Sequence, residues 1–120
     1  MDYEKIDKLI AVHVMGWEIR NVDFTQDGSY FEAFFDEKGN RLGIVGAYEF
    51  NPSEYIQDAW IVVEALRKKH LKVYIETEFR YYDVYVKNGL GNYMTERHQE
   101  ESLPKAICLA ALEALEVEVN

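Results

Sequence analysis

Leu103-Pro104-Lys105-Ala106-Ile107-Cys108-Leu109-Ala110-Ala111-Leu112 decides the fold of this chain. Ser102, just ahead of it, can cap a helix, and Pro104 is tolerated in a first turn. From Ala106 to Leu115 the segment is apolar almost all round. A surface helix shows one apolar stripe, so this one is covered on two sides, or lies on a sheet and packs on another subunit. Its alanines allow close approach to whatever it meets. The unbroken apolar run ends at Leu112, far short of the roughly 20 residues that a bilayer span needs.

Upstream, the sequence supplies a sheet for that helix to lie on. Lys72–Glu78 alternates cleanly, with Val73, Ile75 and Thr77 on one side. In Tyr81–Lys87, Val84 and Val86 share a face with Tyr82. Asn88-Gly89-Leu90-Gly91-Asn92 is a turn signal, and a third strand is expected between Gly91 and His98. Three sequential strands with short turns read as an antiparallel meander.

A helix precedes the meander. Asn51 can cap it, Pro52 then falls at the first helical position, and Glu54 sits three residues after the cap. Phe50 and Tyr55 occupy the positions of a hydrophobic staple. Ile56, Ala59, Trp60, Val63 and Leu66 form the expected core stripe, and Arg67, Lys68, Lys69 and His70 close the helix where its dipole favours cations. Residues 3–15 read as another helix, with Ile6, Leu9, Ile10, His13 and Val14 on one face. Gly16 suits the left-handed residue after its last turn, with Trp17 folding back on Val12 or Ala11. Between these helices, a short strand near Trp17–Val22 precedes a hairpin. Its first arm spans Tyr30 to Asp36, Glu37-Lys38-Gly39-Asn40 turn the chain, and Leu42, Ile44, Tyr48 and Phe50 return. Gly43 and Gly46 suggest a bulge or an edge in the returning arm.

At 120 residues, 48% apolar and 29% charged, the chain reads as a single globular domain, residues 1–120. Its net charge is −9, and residues 1–60 hold 12 acids against 5 bases. Phosphate neutralisation needs a basic face, so direct nucleic-acid binding is not expected. An acidic surface either keeps the protein soluble or docks on a basic partner, in the extreme as a mimic of DNA. Cys108 is the sole cysteine, and no basic segment with an apolar run follows the start. Both fit a reducing cytoplasm.

No catalytic motif emerges. No His or Cys pair has zinc spacing, no serine lies in a nucleophile elbow, and the glycines of 88–92 lie between strands. Cys108 sits on a buried helix, where low dielectric blunts a thiol. His13 reads as a core histidine and His70 as part of a helix end. His98 with Glu100 and Glu101 is a weak group for a divalent ion. The sequence therefore offers no catalytic, cofactor-binding or metal-binding residue, and no cofactor is expected. If the protein is a small enzyme, its site is an acidic one built at the sheet edge from Glu76, Glu78, Asp83 and His98. The aromatic residues are in surplus: Tyr74, Phe79, Tyr81, Tyr82, Tyr85 and Tyr93 are too many for one small core. Some belong on the second face of the sheet, either beneath helices or in a partner surface. A nucleobase-stacking platform would need basic residues alongside them.

With these residues placed, the chain resembles the phage ABA (α/β/α) sandwich domain family, small phage and prophage proteins of Bacillus and related bacteria. The matching segments are Val14-Met15-Gly16-Trp17, Phe50-Asn51-Pro52-Ser53, Asp58-Ala59-Trp60 with Val62-Val63-Glu64, and Pro104 to Leu112. The stretch Asn21–Tyr48 departs most from the family pattern. The resemblance implies an α+β fold, an antiparallel sheet with helices packed on both faces, and implies no activity. The expectation is a non-enzymatic phage or prophage accessory protein that works by protein contact or self-association, with no membrane partner. On this reading Ile107→Asp and Trp60→Asp both unfold the domain.

Overall fold

Ile6, Ile10 and Val14 recur at helical spacing and are fully buried, which sets the inward face of α1 (Tyr3–His13). In this computed structural model, which describes residues 3–23, 28, 30–45 and 50–119, the helix stops as its sequence predicts. Gly16 takes φ +73°, the Met15 N–H donates to the Ile10 carbonyl, and the Trp17 N–H donates to the Ala11 carbonyl at 2.8 Å. His13 does not join the apolar face. It lies exposed, because the face turns to bury Ala11 beside Ile10 instead.

The chain then forms β1 (Glu18–Asp23), β2 (Tyr30–Phe35) and β3 (Arg41–Ile44), an antiparallel sheet in that order. The expected turn is held by Asp36, whose carboxylate accepts the N–H groups of Lys38 and Asn40 at 2.9 Å. Those bonds, Asn40 foremost, hold the Asp36 carboxyl below its ordinary range. The expected bulge is present: Phe34 pairs with Gly43 but Phe35 pairs with Arg41, leaving Leu42 as the extra residue. Tyr48 and Gly46 lie outside the described residues. This sheet meets α1 through β1 and through an ion pair of 3.1 Å between Lys8 and Glu32. Its Phe34 joins Trp17 and Phe50 in an aromatic group with centroids 4.7 to 6.0 Å apart.

Asn51 does not cap the second helix. Residues 51–55 form a separate turn, in which the N–H groups of Glu54 and Tyr55 donate to the Asn51 carbonyl. The helix α2 (Ile56–Lys68) starts from Tyr55, with no side-chain cap. Long-range partners explain the difference: the Ser53 N–H donates to the Asp7 carboxylate of α1 at 2.9 Å, and the Asn51 N–H donates to Asp58. The core stripe is rotated as well. Ala59, Val62 and Leu66 are fully buried, while Ile56 and Trp60 stand out in solvent. Helical spacing predicts Ile56 and Trp60 inward with Ala59, Val63 and Leu66. Close approach to neighbouring helices favours the smaller Ala59 and Val62 at the contact. Lys69 and His70 end the helix as expected, with His70 at φ +62°.

The second sheet follows as a meander of β4 (Leu71–Thr77), β5 (Tyr82–Asn88) and β6 (His98–Glu100). The third strand comes later than the sequence suggests. Residues 91–97 give only one bridge, Tyr93 to Lys87, because the Thr95 hydroxyl takes the Val86 N–H that a regular ladder would use. Val73, Ile75, Tyr82, Val84 and Val86 form its inward face, against α2 and α3 (Leu103–Ala114). The Ser102 hydroxyl accepts the Lys105 N–H, so the last helix is capped as expected. Seven of its residues are buried, among them Ala106, Ile107, Cys108, Ala110 and Ala111. Within the chain its neighbours are α1, α2, β5 and β6. A second subunit is not needed to explain its composition. The α+β class expected from the sequence is what the chain has, with its strands shared between two antiparallel sheets. No helix among the described residues is long and apolar enough to cross a membrane.

The Asp7 carboxyl is buried and its pKa is raised to about 6, chiefly by lost hydration and against the Ser53 hydrogen bonds. Folded Asp7 therefore holds its proton where unfolded Asp7, at 3.8, has lost it. Its contribution to stability is complete below pH 4 and fades as pH rises through 6, by about 3 kcal/mol in all. Asp7→Asn keeps an acceptor for Ser53 and removes that loss. Urea unfolding of the two proteins at pH 4 and pH 7 should show the variant gaining on the wild type as pH rises. In the same assay Ile107→Asp unfolds the domain, since an unpaired charge in the core costs more than about 4 kcal/mol. Trp60→Asp, whose parent side chain is 51% exposed, remains folded with a change of about 1 kcal/mol or less.

Candidate functional site

The face of the second sheet turned away from the helices carries the most organised group of polar and aromatic side chains. Its hairpin register sets three cross-strand pairs in a row: Lys72 with Lys87, Tyr74 with Tyr85, and Glu76 with Asp83. Like charges directly opposite one another destabilise a sheet, so two of these pairs need relief. The lysines find it on the tyrosines. The Lys87 ammonium lies 5.0 Å from the Tyr74 ring centroid, 5.9 Å from Tyr85 and 4.6 Å from Tyr93, and Lys72 lies 5.4 Å from Tyr74.

Arg97 relieves the acids. Its guanidinium pairs with Glu76 and, at 3.0 Å, with Asp83, and its carbon sits 4.3 Å over the Tyr85 ring. Asp83 is 5% exposed, and its second oxygen, Oδ1, has no hydrogen-bond partner among the described residues. Tyr74 and Tyr85 stack with centroids 5.2 Å apart and rings within 2° of parallel, and Tyr93 leans on Tyr85 at 5.4 Å. Tyr85 forms the floor, and its hydroxyl donates to Glu76 at 3.4 Å. Burial, with the Glu76 charge beside it, pushes that hydroxyl's pKa up. Tyr93 is 57% exposed and Tyr74 partly so, with Phe79 standing free at the β4–β5 turn and Leu90 at the β5–β6 turn.

The face therefore holds part of the acidic group singled out from the sequence and excludes the rest. Glu76 and Asp83 come together with Arg97 between them. His98 does not join them: it pairs with Val84 across the ladder, so it points inward, where its Nε2 meets Glu113 of α3 at 2.5 Å. Glu78 lies exposed at the hairpin turn, its N–H donating to the Tyr81 carbonyl. A groove of about 500 Å³ beside His98 is walled by Leu109, Glu113 and Val117 and contains none of the other three. No group of three metal-ligating side chains occurs among the described residues. Cys108 is buried against the core, and lost hydration, with Asp7 nearby, pushes its thiol well above the ordinary range. Acid–base chemistry across Glu76, Asp83 and His98 has no geometry here. Flat contact does.

From the sequence, Lys87 and Arg80 are expected to pair with Glu76, Glu78 and Asp83 across the strands; Lys87 lies on the tyrosine rings instead, and Arg97 takes Glu76 and Asp83. Lys72 could have been found by folding the hairpin about its Glu78–Tyr81 turn and counting partners. Arg97 and Tyr93 belong to an irregular segment with no period to follow.

Among known proteins, the model of a family described as the phage ABA sandwich domain matches residues 8–112. No curated protein and no solved structure matches the chain.

Replacing Arg97 by Met removes the partner of a buried carboxylate, so the variant should lose about 3 kcal/mol of stability. Adding Asp83→Asn should recover most of the loss. Urea midpoints of the wild type, the single variant and the double variant check this.

Proposed function

The chain belongs to the phage ABA sandwich domain family, and from that premise we propose that it is a non-enzymatic phage or prophage accessory protein that acts by gripping another protein. The tyrosine face of the second sheet is the gripping surface. One observation carries this reading: Tyr74, Tyr85 and Tyr93 form a stacked platform on the face that the helices leave uncovered. Tyrosine is enriched at protein interfaces because its ring offers wide apolar contact at small entropic cost, while its hydroxyl tolerates water. The strap of Lys87 and Arg97 across the rings holds them in place before any partner arrives, which lowers the cost of ordering them. Lysines stand at one end of this face and the acids, neutralised by Arg97, at the other, so it reads as a surface for a folded protein and not as a row imitating phosphates. We place its action in the cytoplasm of the bacterial host, on the strength of the lone buried thiol of Cys108.

Affinity capture from lysate of a bacterial host, run in parallel with wild type, Tyr93→Asp and Tyr74→Ser, tests this. A stoichiometric protein held by the wild type and lost from both variants is the expected result. Equal retention by all three, or no retained protein, would overturn the assignment of this face.

A further inference from the structure

β4 is an edge strand with an open side. The Glu78 N–H donates to the Tyr81 carbonyl, and hydrogen-bonded pairs alternate from there along the hairpin: Glu76 with Asp83, Tyr74 with Tyr85, Lys72 with Lys87. The N–H and C=O groups of Leu71, Val73, Ile75 and Thr77 therefore point away from β5. Among the described residues no strand lies on that side to receive them. The apolar side chains show the same gap. Val84 and Val86 of β5 are fully buried, whereas Ile75 and Val73 opposite them are only half-buried. The other sheet edges are blunted: β3 has four residues and a bulge, β6 has three residues, and exposed Glu18, Arg20 and Asp23 run along β1. β4 runs seven residues in unbroken register, without proline and without a charge on its inward face.

We propose that β4 pairs with β4 of a second copy of the chain, antiparallel about a two-fold axis at Tyr74, joining two three-stranded sheets into one. Hydrogen bonding restricts the pairing to registers in which outward backbone groups face one another, and the charges choose among these. With Tyr74 facing Tyr74, Val73 faces Ile75, Leu71 faces Thr77, and Lys72 faces Glu76 at both ends. The whole strand is then used. Centring the axis on Lys72 or Glu76 sets like charges together. Centring it on Val73 or Ile75 sets Tyr74 against a charge and leaves strand ends unpaired.

A second copy also answers an imbalance in the single chain. Lys72 and Lys87 lie on tyrosine rings, while Glu76 and Asp83 share one guanidinium. Across the axis each exposed Lys72 gains a carboxylate and each exposed Glu76 an ammonium. Edge charges turn away arbitrary strands. Against their own copy in reverse they attract, and a two-fold contact requires such self-complementarity. Strand addition draws its affinity from main-chain hydrogen bonds more than from area, so this dimer dissociates on dilution. The inference stands on the strand edge and does not rest on the gripping role of the tyrosine face.

Sedimentation equilibrium of the full chain from about 1 μM to about 500 μM tests the proposal. The mass should rise from monomer towards dimer. Val73→Pro removes an outward N–H and leaves the ladder to β5 intact, so it should hold the mass at monomer with an unchanged circular dichroism spectrum. Lys72→Glu and Glu76→Lys should each self-associate at least about tenfold more weakly, and their equimolar mixture should recover the wild-type affinity, because acid then faces base at both ends. Each of these two substitutions relieves a like-charge pair within its own hairpin, so weaker association is not weaker folding. Oxidation reads the register. Tyr74→Cys sets two thiols in a non-hydrogen-bonded pair with Cα atoms about 4.5 Å apart and should form a covalent dimer, whereas Lys72→Cys, facing Glu76, should not. Tyr93→Asp should dimerise like the wild type. A chain that stays monomeric at every concentration would overturn the proposal, as would a dimer that survives Val73→Pro. A charge mixture no tighter than its components, or a Lys72→Cys protein that cross-links as fast as Tyr74→Cys, would overturn the register.

Discussion

The seating of α3 among four neighbours is the constraint on which the remaining structure depends. Ala106, Ala110, Ala111 and Ala114 keep this helix narrow, so α1, α2 and the inward face of the second sheet can all reach it at once. Ile107 and Leu112 supply the bulk between them, each worth about 1.5–3 kcal/mol by its removal from water. A wider helix here would push α1 and α2 away from the second sheet. The same demand fixes the phase of α2: only Ala59, Val62 and Leu66 allow the approach, and Trp60 is turned outward as a result.

The outer face of the second sheet is ordered by a different force. Its strand register places cation against cation and acid against acid, an arrangement that is unfavourable taken pair by pair. Tyrosine rings accept the lysines and Arg97 accepts the acids, so the conflict ends in a rigid lattice of side chains. The buried and singly satisfied Asp83 shows how much that lattice depends on one guanidinium from an irregular segment.

Local signals in the sequence survived into the structure. Gly16 ends its helix because the left-handed conformation is a property of that residue and its two neighbours. Ser102 caps α3 for a similarly local reason, and the turn at Asp36–Asn40 follows from one carboxylate meeting nearby N–H groups. The failures share a cause as well. Asn51 was free to cap only if Ser53 had no other partner, and that partner, Asp7, lies 46 residues away. The outward turn of Trp60 depends on how near α3 comes, which no window of α2 contains. His98 was grouped with Asp83 by charge and proximity in sequence, yet neighbouring ladder positions put them on opposite faces. The tyrosine platform was half visible: the surplus of rings could be counted, whereas their cationic partners required the register.

The placement of the two tryptophans gives the molecule two optical reporters of unlike character. Trp17 is half-buried against Phe34 and Phe50, where its indole should emit towards the blue and shift when the first sheet loosens from the helices. Trp60 stands in water on the far side of α2's buried stripe and should emit towards the red, open to a soluble quencher. The intrinsic fluorescence of this chain thus separates the integrity of its interior from the occupancy of its surface, without a label.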